Sequence, residues 1–289
     1  MTLSPKPRPR LSWRLGAFSV LTVALLFGAA AAPATAAVPQ GLFGSHASSD
    51  YVALGDSFTS GQGAPPYLSG PCLQSKYTSY PVITATLSKY KLVANKSCSG
   101  ADTEAVQAQV GQLPSTLTGP ASSVRLVTLT VGGIDAGSNQ VLAACVPDPA
   151  SAYCQQAIGE AAGKLSTLAP KLATTYYAVA QAMPNAKIVV FTYPRLFNPG
   201  TAPLGDAVNQ ATDALNGVIT AAAGSVTAQG KNVQVVDVTQ EFANHGIGAR
   251  LPYISFNPSN LLAQSNLHPN ALGNSLGYFR ALLNDRVLR

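Results

Sequence analysis

Charge is scarce in this chain. Charged residues make up 10% of its 289 positions, and no acid precedes Asp50. Tryptophan occurs once, at position 13; histidine occurs three times and cysteine four times. Each shortage excludes something. No Lys/Arg run or basic, aromatic-interleaved stripe is present outside the first residues, so nucleic acid has no electrostatic footprint here. No CxxC pair or His/Cys cluster suggests zinc, and no metal or cofactor is expected. With Trp13 set aside no tryptophan platform remains, which disfavours a polysaccharide-binding surface. Only one long apolar run exists, LGAFSVLTVALLFGAAA at residues 15–31.

That run belongs to a leader. Lys6, Arg8, Arg10 and Arg14 precede it, and Ala34-Thr35-Ala36 follows as a small-x-small site. A basic n-region, an apolar h-region and such a site read as a secretory signal peptide over residues 1–36. The competing reading is a membrane anchor, but about 20 residues are wanted to span a bilayer and the run has 17. The formal net charge of +6 then shrinks to +2, because four of the 18 basic residues and none of the 12 acids lie in the leader. A secreted, extracellular chain with no stable membrane insertion after cleavage is expected, and a monomer is the default.

Residues 37–49 read as a flexible lead-in, and residues 50–289 as one domain, long enough for a sizeable core. Cys72, Cys98, Cys145 and Cys154 would meet an oxidising environment, so two disulfides are expected. Three pairings exist. Cys72–Cys98 and Cys145–Cys154 are favoured because each closes a short local loop.

Five short, continuous apolar runs are strand candidates: Tyr51–Leu54, Lys91–Ala94, Val124–Val131, Ala186–Thr192 and Val233–Val238. Helical spacing lies between them, over 79–90, 104–113, 206–228 and 270–288. The Ala-rich stretch 153–183 predicts two helices broken near Pro170, read as core without chemistry. Strands alternating with helices, and strands without polar alternation, predict an α/β fold: a five-stranded parallel sheet covered on both faces. Ligands then bind at the carboxyl ends of the strands. Gly55-Asp56-Ser57, the Ser97–Gly100 loop and Gly132-Gly133 mark three of those ends.

Ser57 follows the first strand, and a free hydroxyl needs a base to act as a nucleophile at neutral pH. His46 falls in the lead-in, and His245 in a Gly-rich loop where a surface role is expected. His268, in Leu267-His268-Pro269 at the mouth of the last helix, is the candidate base. Asp56 and Asp135 read as bracing residues. Loop segments 62–75, 195–205 and 242–264, with Pro65, Pro66, Tyr67, Leu68, Phe197, Tyr253, Ile254 and Phe256, are candidates for an apolar cleft.

GDS after the first strand, Ser99-Gly100-Ala101 after a cysteine, Gly132-Gly133-x-Asp135 and the C-terminal His-Pro resemble, in order, the blocks of the SGNH/GDSL hydrolases. YVALGDSFTSGQG and CSGADT look most like secreted actinobacterial lipases and esterases of that family. The resemblance covers roughly residues 50–285. It implies a three-layer α/β/α, flavodoxin-like fold and cleavage of carboxylic esters, of acyl lipids or small acyl esters, through an acyl-enzyme. It implies Ser57 as nucleophile, His268 as base, and an oxyanion hole from the backbone N–H groups of Ser57 and Gly100.

Two positions depart from the family. Ile134 stands where the family has an oxyanion-binding Asn, and Asn139 is the nearby residue able to substitute. Ser265 stands where the family has Asp, three residues before the histidine. A Ser–His dyad is therefore expected, with the carbonyl of Ser265 orienting the imidazole. A carbohydrate O-deacylase of the same fold, or an impaired relative that binds acyl or cell-wall ligands without turnover, are the alternatives.

Overall fold

The computed structural model describes residues 48–289 apart from Val146, Pro149 and Ala202. The expected signal and most of the lead-in lie outside the described residues. Five strands form one all-parallel sheet: β1 (Ser49–Gly55), β2 (Tyr90–Asn95), β3 (Val124–Thr130), β4 (Lys187–Phe191) and β5 (Val233–Val236), in the order β2-β1-β3-β4-β5. The strands are apolar throughout because both faces are covered. Val52 and Leu54 of β1 join Val127, Leu129, Ile188 and Val190 in the core on one face. Their neighbours Tyr51 and Ala53 join Leu126, Val189 and Phe191 on the other.

The first face is covered by α3 (Thr103–Gly111), α5 (Ala152–Ala182) and α6 (Pro203–Ala228). The second is covered by α2 (Tyr80–Leu87) and the closing helical segment, where Tyr80, Phe191 and Tyr278 pack ring against ring. These are the three layers expected.

Two expectations about helices need correction. Residues 152–182 form one helix, not two, with Pro170 inside it. A proline removes one backbone hydrogen bond and crowds the preceding turn. Here Pro170 sits on the exposed side, while Leu168, Leu172, Tyr176 and Val179 bury a stripe on the sheet that spans it. The closing helix is not uniform either. It widens to a π-type turn over Gly273–Phe279 before α7 (Arg280–Asn284).

Candidate active site

The site begins where β1 ends. Gly55 has φ +116°, and a Cβ there would lie 2.3 Å from the Thr130 carbonyl oxygen. Only glycine lets β1 stop this close to β3. The Gln109 side chain brackets Gly55, accepting its N–H at 2.8 Å and donating to its carbonyl at 2.9 Å. Asp56 then caps the short helix α1 (Ser57–Ser60), accepting from the Phe58 N–H at 2.9 Å. Its carboxylate also accepts from the Thr130 hydroxyl at 2.6 Å and from the Tyr193 hydroxyl. Burial pushes the Asp56 carboxyl up to about 6, against the pull of those hydrogen bonds. All its oxygens are engaged, so Asp56 braces the turn, as the sequence suggested.

Ser57 is 7% exposed. Its hydroxyl lies 2.8 Å from Nε2 of His268, across 211 residues of sequence. The other ring nitrogen, Nδ1, lies 2.7 Å from the carbonyl oxygen of Asn266. A carbonyl can only accept, so Nδ1 carries the proton and Nε2 is left to accept from the serine hydroxyl. Burial holds the His268 imidazole down to about 4, partly offset by the Asn266 carbonyl. The ring is therefore neutral, and able to take a proton, at ordinary pH.

The carbonyl that meets the His268 ring is that of Asn266, not that of Ser265 as expected. Leu267 adopts φ +63°, which turns the chain back so that the carbonyl two residues before the histidine faces its ring. The Asn266 side chain holds this turn: Oδ1 accepts from the Asn257 N–H at 2.7 Å, and Nδ2 donates to the Asn260 carbonyl at 2.9 Å. Nothing in the sequence marked Asn266, because its partners are backbone groups of a loop without regular structure.

The segment after α1 and the histidine loop touch directly at Gly63. A Cβ on Gly63 would lie 2.5 Å from the carbonyl oxygen of His268 and 2.4 Å from that of Pro269. Ser255 donates its hydroxyl to the Gly63 carbonyl at 3.0 Å.

The turn that bears Gly100 sits beside the end of β1. The Cys98 N–H donates to the Gly55 carbonyl at 2.9 Å, and Ser99 N–H to Cys72 at 3.1 Å. Bonds join Cys72 to Cys98 and Cys145 to Cys154. The first staples this turn to the loop before α2; the second joins the end of α4 (Ser138–Cys145) to the start of α5. Among the described residues, the backbone N–H groups of Ser57 and Gly100 donate to no protein acceptor. The Gly133 N–H is taken by the Tyr193 hydroxyl at 3.2 Å. Asp135 accepts from the N–H and hydroxyl of Thr103 at 2.9 and 2.7 Å, fixing the start of α3. His245 stacks flat on Tyr253 and meets the Leu251 carbonyl at 2.8 Å, a structural role away from Ser57.

A cavity of about 450 Å³ opens on Ser57 and His268. It runs between α4, α5 and α6, with Ile134, Val141, Ile158, Leu165, Leu204 and Leu215 among its walls. None of the eight named loop residues lines it, though Leu196 and Leu204 of the 195–205 segment do. Tyr253 and Ile254 are core residues instead. Ala161, in the stretch read as core, lines it, as do Ala207 and Ala211 of α6. Small side chains on facing helices leave the space that larger ones would fill. Ile134 and Asn139 both border the cavity; Asn139 is exposed, at the first turn of α4. No group of three or more metal-binding side chains occurs among the described residues.

A parallel sheet that brings a serine and a histidine together at its carboxyl edge, under an apolar cavity, is the architecture of a carboxylic-ester hydrolase of the α/β class. Within that class the chain belongs to the GDSL-like Lipase/Acylhydrolase family, whose model matches residues 53–276. It is 35% identical to Lipase 1 of Streptomyces coelicolor, over 87% of this chain and 90% of that protein. It is 34% identical to a lipase of Streptomyces rimosus, over 94% and 98%. The solved extracellular lipase of Streptomyces rimosus superposes with a TM-score of 0.70 at 32% identity, covering 82% of this chain and 99% of that one. Phospholipase A1 from Streptomyces albidoflavus gives 0.68 at 31%, with the same coverage. The chain is thus a lipase/esterase of the GDSL family.

Proposed function

We propose that this enzyme is exported and cleaves acyl esters with a Ser57–His268 dyad. The observation that carries the reading is the chain of contacts from Ser57 Oγ to His268 Nε2 and from Nδ1 to the Asn266 carbonyl, at the mouth of an apolar cavity. Residues 1–36 act as the cleaved export signal and residues 50–289 as the catalytic domain. No helix among the described residues is long and apolar enough to cross a membrane.

The chemistry proceeds in two halves. Ser57 Oγ attacks the ester carbonyl carbon as His268 Nε2 takes its proton. The oxyanion is held by the backbone N–H groups of Ser57 and Gly100, both without protein acceptors. The carbon–oxygen bond then breaks, and His268 returns the proton to the departing alcohol. Water, deprotonated by His268, then attacks the acyl carbon; the bond to Ser57 Oγ breaks, His268 returns the proton to Oγ, and the acyl group leaves as a carboxylic acid. The imidazolium formed in each half is steadied by the dipole of the Asn266 carbonyl rather than by a carboxylate. The acyl chain occupies the cavity. Its lining of leucine, isoleucine, valine and alanine side chains suits a hydrocarbon chain better than an acetylated sugar.

The test uses mature protein, p-nitrophenyl acyl esters of several chain lengths, and Ser57→Ala. Turnover should fall by more than about 10⁴-fold in the variant, and an organophosphonate should label Ser57 in the parent. Equal turnover of both proteins would refute the nucleophile. No turnover and no labelling in the parent would leave a protein that binds acyl ligands without cleaving them.

A further inference from the structure

One residue five positions past Ser57 reaches the serine helix through its backbone N–H, and the Gly100 turn and the histidine loop through its side chain. Gln62 is half-buried in the turn after α1. Its N–H donates to the carbonyl of Ser57 at 3.1 Å. Its Oε1 accepts from the hydroxyl of Ser99 at 2.6 Å, one residue before Gly100. Its Nε2 donates to the carbonyl of Gln264 at 2.7 Å, in the loop that carries Asn266 and His268. The Tyr67 hydroxyl donates to the Gln62 carbonyl and fixes the Gln62 backbone.

The amide is the one group of this length that serves both arms. The Ser99 hydroxyl needs an acceptor and the Gln264 carbonyl needs a donor. Glutamate offers the acceptor alone, and methionine has the same reach with neither. The two arms pull together elements that are otherwise 37 and 202 residues away from Gln62 in sequence. The histidine loop holds itself mainly through its own backbone and Asn266. Its hydrogen bonds to the segment after α1 are the Ser255 hydroxyl on the Gly63 carbonyl and the Gln62 arm on the Gln264 carbonyl. The two departures from the family make this tie weigh more: with a carbonyl in place of an acid, and Ile134 in place of an oxyanion donor, the remaining groups must be well placed.

We infer that Gln62 is a positioning residue that holds the nucleophile, the Gly100 turn and the histidine loop in one geometry. The inference rests on the reading of Ser57 and His268 as the reacting pair. Misplacing catalytic groups by about 1 Å can cost on the order of 10²-fold in rate.

The test is a set of variants in the full mature chain, assayed on p-nitrophenyl butyrate with thermal midpoints measured alongside. Gln62→Met should lower kcat by about ten- to a hundredfold, with KM and the midpoint close to those of the parent. Gln62→Glu, which keeps the Ser99 arm, should fall between the two. Ser99→Ala should lose less than Gln62→Met, and the double variant should be no slower than Gln62→Met alone, since both act through one network. A Gln62→Met kcat within about twofold of the parent would overturn the inference, as would losses that multiply in the double variant. If Gln62→Met fails to fold, Gln62→Glu at parental kcat overturns it equally. Ser57→Ala run beside them separates the two readings: full turnover there defeats the dyad, and the inference with it, whereas a dead Ser57→Ala with an unaffected Gln62→Met defeats the inference alone.

Discussion

The two halves of the proposed catalytic pair are built differently. Ser57 stands on the sheet edge, where Asp56, Thr59, Gln109 and Thr130 are all buried and bonded to one another or to the end of β1. His268 stands at the end of a loop that folds on itself: the Leu267 N–H donates to the Ser255 carbonyl and the Ser255 N–H to the His268 carbonyl, both at 2.8 Å, and Leu262 is 93% exposed near its tip. The first half is secured by packing against the fold. The second is secured by a few directional hydrogen bonds, and such segments open locally at far lower free energy than core strands. Damage to the edge should therefore show as lost stability, and damage to the loop as lost rate.

The strongest test of that contrast is Asp56→Ala. It strands the Thr130 and Tyr193 hydroxyls and removes the α1 cap. A loss of about 3 kcal/mol is expected, a fall of roughly 6–12 °C in thermal midpoint. A midpoint within about 2 °C of the parent would break the contrast from the edge side.

Ile134→Asn asks which half limits the rate. Placing a donor at the sheet end should raise kcat, by at most about 10²-fold. An unchanged rate would mean that the Ser57 and Gly100 amides already suffice and that the histidine side governs turnover.

Asn266→Ala removes the clamp on the orienting carbonyl. A drop of about tenfold in kcat is expected, with KM unchanged and the midpoint barely moved. A large fall in midpoint would show the loop to be a structural part of the core.

The smallest effect concerns pH. With His268 held down to about 4, kcat/KM should stay level from pH 8 to about 5 and halve near 4, rather than near the ordinary imidazole value of 6.5. Stability should carry two opposed slopes. The unfolded chain protonates its histidine before the folded one does, so that contribution is lost as pH falls from 6.5 towards 4. Asp56 is raised from 3.8 to about 6, so its contribution is lost as pH rises through that window. His268→Asn should leave the second slope alone: relative to the parent, its midpoint should decline between pH 4 and 6. A parallel profile for the two proteins would show that His268 does not titrate differently on folding.

Much of the edge was legible in the chain, and much of the loop was not. A run such as Val124–Val131 can hardly be other than a buried strand, and Gly55-Asp56-Ser57 after such a run declares a turn at a strand end. The five strands and their parallel pairing followed from that pattern. Asn266 and Gln62 were invisible because their partners are carbonyls and amides brought near by loop geometry, which residue type does not encode. The cavity was misplaced for a related reason. Exposed aromatic loops resemble a binding cleft in sequence, whereas Ala161, Ala207 and Ala211 resemble helix filler. It is their small size, opposite one another on α5 and α6, that creates the space. Pro170 misled because propensity is local, and the stripe that carries α5 through it is long.

Gly63 has a bearing on how this enzyme can be varied in the laboratory. Its missing methyl group is the spacer setting between the segment that follows Ser57 and the carbonyls of His268 and Pro269. In a library of random variants selected for ester cleavage, that column should stay empty of every other amino acid. Neighbouring loop tips should meanwhile accept wide variety. Directed evolution towards new esters would then have its freedom in the helical walls and almost none at this one seam.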